Sequence, residues 1–98
     1  MTIEDTQEYW STPVETRHEE LLNRITFNPE IFGGKPIIRG HRLAVEHVLE
    51  MLAVGDSADE ILAGYPWLQK DDIAACLLYA ARTVGNEYVE PLASEGQR

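Results

Sequence analysis

The stretch "AVGDSADEIL", residues 53–62, ends one helix and starts another within a few positions. This fixes the middle of the fold. Upstream, Val45, Val48, Leu49, Leu52 and Ala53 recur at the spacing of one helix face. Gly55 suits the left-handed stop that follows a helix. Ser57 and Glu60 then read as a capping box: the hydroxyl accepts from the backbone N–H of residue 60, and the carboxylate accepts from that of residue 57. The second helix is expected to be short, because Gly64 stops it and Pro66 in "YPWL" forbids continuation. The third and longest helix is expected over residues 69–89. Asp71 and Asp72 lie in its first turn, where carboxylates favour the positive helix end. Ile73, Leu77, Ala80, Ala81, Val84 and Tyr88 form its expected apolar stripe. Three helices with tight connections predict a mainly α, trihelical domain with a helix-turn-helix outline.

Before the helices, "RITFN" (24–28) alternates like a short strand, and Pro29 stops it. Gly33, Gly34 and Pro36 mark a turn. "PIIRGHRLAV" (36–45) reads as extended, with Gly40 hinting at a bulge or a close backbone approach. The two pieces suit a short N-terminal β-arm or hairpin that must rest on the helices, since an isolated hairpin is marginal. Residues 1–23 read as an acidic N-terminal extension, residues 24–88 as the domain and residues 89–98 as a loose tail. Within the extension, residues 14–22 have the pattern of a short helix with a thin apolar face. Trp10, an aromatic on a polar arm, is a candidate anchor on its own domain or on a partner.

The charge is uneven. The chain carries net charge −9, yet residues 21–45 hold Arg24, Lys35, Arg39 and Arg42 against the single acid Glu30. In an extended arm, Arg39, His41 and Leu43 would share one face, and Ile38, Gly40 and Arg42 the other. Lys35, Arg39, His41 and Arg42 are the candidate nucleic-acid contacts, since Arg on an arm grips phosphates or enters a narrow minor groove. Two other readings compete: these cations neutralise acids of the same chain such as Glu46, Glu50 and Glu60, or they meet an acidic protein. The aspartates opening the third helix would be repelled by phosphates, which leaves DNA contact to the arm. Leu78 and Tyr79 lie off the main stripe of that helix. With Arg82 and Trp10 they are candidate dimer or partner contacts; the alternative is that the N-terminal arm of the same chain covers them.

Several classes find little support. No apolar run reaches membrane-spanning length, and the acidic N-terminus lacks a signal-peptide core. One cysteine and three histidines argue against a disulfide or a metal site, and a lone cysteine fits a cytoplasmic protein. "GGKP" lacks the phosphate-loop pattern. Cys76 sits mid-helix as a core residue, and His47 lies on the flank of the first helix. Adjacent Asp71 and Asp72 point about 100° apart on a helix and form no carboxylate pair. Neither catalysis, nor a small-molecule substrate, nor a cofactor is expected.

From Arg24 to about Val84 the chain resembles the bacterial family called domain of unknown function 433. The residues that carry the likeness are Pro29, "GGKP", Ile38-Arg39-Gly40, Arg42, Val45, Gly55 with its Ser cap and "EIL", Tyr65-Pro66, "DDI" and "YAA". The resemblance implies a homeodomain-like helix-turn-helix behind a short β-arm. It also implies the antitoxin half of a toxin–antitoxin pair, a homodimer that blocks a PIN-like ribonuclease toxin and binds operator DNA. The family usually has Thr where His41 stands and Pro where Ala44 stands; a histidine there would make a contact sensitive to pH. A second expectation is a protein-binding module that inhibits a nuclease without touching DNA, using acids such as Glu87, Glu90 and Glu95.

Overall fold

The corner between residues 53 and 60 forms through the local signals its sequence carries. The structure is a computed structural model; it describes the backbone of residues 16–92 and the side-chain surroundings of residues 16–86. Helix α2 spans Val45–Ala53 and ends in a double-bonded stop. The Asp56 N–H donates to the Met51 carbonyl at 3.0 Å and the Gly55 N–H to that of Leu52 at 3.1 Å. Gly55 takes φ +107°, a left-handed value that costs a residue without Cβ little. Helix α3, Ala58–Gly64, opens with the reciprocal cap: the Ser57 N–H donates to Glu60 Oε1 at 2.7 Å, and the Glu60 N–H donates to Ser57 Oγ at 3.1 Å.

Helix α4 covers Lys70–Leu92 and so runs past the expected boundary at residue 89. Helix α1 covers residues 16–22. It packs on the domain, with Leu21 buried in the core. Trp10 and the rest of residues 1–15 lie outside the described residues, as do residues 93–98.

Strand β1, Ile25–Thr26, pairs antiparallel with β2, Ile37–Ile38, in the register Ile25 to Ile38 and Thr26 to Ile37. The other edge of Ile37 bridges to Ala44. The expected hairpin is therefore present. Its continuation is not extended: the chain reverses over residues 38–41, so the expected alternation of side chains from Ile38 to Leu43 does not exist. The molecule is a mainly helical, trihelical helix-turn-helix fold of α2, α3 and α4, with the hairpin and α1 packed against it.

Ile38, Val45, Val48, Ile61, Leu68, Ile73, Ala75 and Cys76 form the centre of the core. The apolar stripe expected on α4 holds at Ile73, which is buried, and fails at Leu77, Ala81 and Val84, while the side chain of Tyr88 lies outside those described. Leu77 is 51% exposed and Val84 63%, whereas Asp72, Ala75 and Cys76 are fully buried. The physical reason is the carboxylate of Asp72, which the helix turns inward toward two arginines.

Candidate contact site at the Arg39–Gly40 turn

The reversal at residues 38–41 is closed by the His41 N–H donating to the Ile38 carbonyl at 2.8 Å. Both central residues have positive φ, +46° at Arg39 and +76° at Gly40, the signature of a type I′ turn. Gly40 adopts this freely. Arg39 does not, since the left-handed region costs a residue with a Cβ about 1–2 kcal/mol. The turn is held by its backbone, with the Arg39 N–H on the Arg24 carbonyl at 2.8 Å and the Gly40 N–H on Thr26 Oγ1 at 2.9 Å. It is held more firmly by the Arg39 side chain.

Arg39 reaches across to the start of α4. Its Nε donates to Asp72 Oδ1 at 3.0 Å, and its Nη2 donates to Asp72 Oδ2 at 2.8 Å and to the Trp67 carbonyl at 2.9 Å. Arg24 Nη1 adds a bond to Asp72 Oδ1 at 2.9 Å and one to Gln69 Oε1 at 2.9 Å. The Gln69 N–H donates to Asp72 Oδ2 at 2.8 Å, which caps the first turn of α4. Each carboxylate oxygen thus accepts two hydrogen bonds. Burial pushes the Asp72 carboxyl up, but the bonds from Arg39, the Gln69 amide and Arg24 outweigh it, and its pKa lies below the ordinary value. Neighbouring Asp71 faces outward, and Arg17, at 2.9 Å, holds its carboxyl below the ordinary range as well.

The other cations of the stretch are placed as follows. His41 lies flat on Trp67, ring centroids 3.8 Å apart and planes 4° from parallel. The Arg39 guanidinium stands 5.6 Å from the same indole ring. Lys35 pairs with Glu46 at 3.2 Å on the surface. Arg42 is exposed and makes no ion pair among the described residues. The structure therefore brings Arg39 and His41 together around Trp67, sets Lys35 apart, and leaves Arg42 as the cation facing solvent. Asp72, Arg24 and Trp67 are members of the cluster that the sequence did not assign to a contact site. The only signal for Asp72 was its place three residues after Gln69, where a carboxylate can reach back to a helix-opening N–H.

The candidate partner contacts of α4 are engaged within the chain. Leu78 and Tyr79 are half-buried against the core, with Phe27 at 6.4 Å from the Tyr79 ring. Arg82 Nη2 lies 3.2 Å from Nδ1 of His18 on α1. The thiol of Cys76 is pushed up to about 12, first by burial and then by the Asp72 charge, so it is unreactive at neutral pH.

Taken with the helices, this latch defines the class: a helix-turn-helix domain whose β-hairpin is bolted to its last helix by two arginines on the buried Asp72. The model of the family described as "Protein of unknown function (DUF433)" matches residues 25–80, and the chain belongs to that family. An uncharacterized protein, y4eO, of Sinorhizobium fredii is 36% identical over 56 residues, which is 57% of this chain and 25% of that protein. The chain thus matches only a quarter of that relative's length. The crystal structure of a member of the same family from Anabaena variabilis superposes with a TM-score of 0.61 at 26% identity, covering 78% of each chain.

Proposed function

We propose that the chain is an antitoxin-type protein-binding module, which holds a PIN-like ribonuclease inactive by protein–protein contact and does not grip DNA with residues 35–42. The observation that carries this reading is the engagement of Arg39 by Asp72 and the Trp67 carbonyl, which takes up Nε and Nη2 and leaves only Nη1. A guanidinium so engaged has few donors to spare for a phosphate, and pulling it out would leave a buried carboxylate short of a partner. Lys35 is likewise paired. The exposed acids Glu19, Glu20, Glu30, Glu50 and Asp59 make no ion pair among the described residues. They suit the basic cleft of an enzyme that handles RNA. The antitoxin role and the identity of the partner rest on the family resemblance.

The test is co-expression with the product of the neighbouring reading frame, which this reading makes a PIN-like ribonuclease. A stable complex with suppressed RNA cleavage is expected, and Glu50→Lys with Asp59→Lys should weaken it in a salt-dependent way. Free cleavage in the presence of excess chain would overturn the reading. A second reading, operator binding, is favoured by the exposure of Arg42 beside a helix-turn-helix. Arg42→Ala is the variant that reports on it. Arg39→Ala is not, because it unhooks the turn. A salt-sensitive mobility shift on the upstream DNA that Arg42→Ala abolishes would establish DNA contact.

A further inference from the structure

Among the described residues, two that are not glycine hold a left-handed backbone: Arg39 at φ +46° and Phe32 at φ +50°. The conformation is unfavourable for both, and for a bulky aromatic residue it is a genuine outlier. At Arg39 the strain is offset inside the molecule, by hydrogen bonds to Asp72 and the Trp67 carbonyl. At Phe32 it is not. The ring stands edge-on to that of His47 on α2, centroids 5.6 Å apart and planes 88° apart, and the residue remains 39% exposed. Gly33 and Gly34 follow at φ +66° and +89°, so Phe32 opens a left-handed run whose other places are filled by glycine. The turn closes through the Gly34 N–H on the Ile31 carbonyl at 3.0 Å and the Lys35 N–H on the Phe32 carbonyl at 3.3 Å. Neither bond needs the ring. A strain that the fold does not offset points to a use for the side chain outside it.

Charge narrows the choice of occupant. Glu30 lies two residues before Phe32, and Glu50 follows His47 by three positions on the same side of α2. Both are exposed and make no ion pair among the described residues. Lys35, the cation next along the turn, is paired with Glu46 at 3.2 Å. A phosphate backbone is repelled by such a border. A second copy of the chain brings the same acids to meet it. Residues 1–15 hold Glu4, Asp5, Glu8 and Glu15 and no Lys or Arg, so they match it no better. A protein surface with an apolar hollow rimmed by Lys and Arg does match: the hollow takes the ring and the rim meets the acids.

We infer that Phe32 anchors the chain to its protein partner, its ring entering an apolar pocket bordered by basic residues. The inference rests on the reading of the chain as a ribonuclease-binding module, and it adds where on the surface that contact is centred.

The experiment uses Phe32→Asn in the full chain, which removes the ring and installs a residue that takes left-handed backbone more readily. In urea unfolding of the chain alone, the folding equilibrium constant should stay within about fivefold of wild type or rise. A larger loss would make the ring a support of the fold and overturns the inference. In calorimetric titration with the purified product of the neighbouring reading frame, the variant should bind about tenfold more weakly or worse. A smaller change overturns the inference and leaves the ribonuclease reading standing. A wild-type chain that does not bind that protein overturns the reading and the inference with it.

Discussion

The two halves of α4 obey the same helical geometry and meet opposite fates. In the first half, Asp72, Ala75 and Cys76 have no exposed surface, and the Asp72 carboxylate accepts four hydrogen bonds. Past Cys76, on the outer edge, Leu77 and Val84 face solvent. Burial along this helix is decided by what comes to meet it and not by the hydropathy of its own residues. The hairpin brings Arg39 and Arg24 to the first half, and a charged residue is pulled inside. In the described chain nothing comes to the outer edge of the second half, and two large aliphatic residues stay out.

Experiments on five substitutions and on the wild-type thiol sharpen or break this contrast. The largest effect belongs to Asp72→Ala, which strips both arginines and the Gln69 N–H of their acceptor. A loss of about 3–4 kcal/mol is expected in urea unfolding. A loss below about 1 kcal/mol would mean the hairpin is held by apolar packing alone. The same cluster sets an acid dependence. The Asp72 carboxyl is depressed in the folded state, so its contribution is present above its unfolded pKa, near 3.8, and is lost as pH falls through the lower folded value. The stability gap between wild type and Asp72→Asn should therefore be constant from pH 7 to about 5 and close below about pH 4. A gap that widens on acidification would refute the assignment.

Next in size is Cys76→Leu, which forces added volume into the packed half at a cost of about 1–3 kcal/mol. The wild-type thiol should react with an aromatic disulfide reagent only as fast as the chain opens, given a thiol pKa of about 12. Ser57→Ala removes one arm of the capping box and should cost about 1 kcal/mol by thermal melt. The smallest effect is expected on the outer edge. Val84→Ser should change monomer stability by less than about 0.5 kcal/mol, measured at concentrations too low for association.

The helix boundaries were legible because their signals are local. Gly55, Ser57, Glu60 and Pro66 act on backbone groups within a few residues, and α2 and α3 begin and end close to where those residues say. The hairpin was legible from Gly, Pro and alternation. The phase of α4 was not. A hydropathy stripe assigns Leu77 and Val84 inward and cannot assign Asp72 inward, because a lone carboxylate belongs in water. Only its partners make it a core residue, and they lie 33 and 48 positions upstream. The same distance hid the role of Arg39. Its charge was plain, its left-handed backbone was not, and a cation on a glycine turn reads from sequence as a reaching arm.

That separation has a kinetic consequence. The corner between α2 and α3 is built from contacts a few residues apart, whereas the latch must close loops of 33 and 48 residues before it gains any bond. The corner belongs to the early part of folding and the latch to the late part. Ser57→Ala should then act mainly by slowing folding, and Asp72→Ala mainly by hastening unfolding. On that order of events the arginine–aspartate clasp would set how long a folded molecule survives, and the Ser57 cap of a seven-residue helix how quickly it forms.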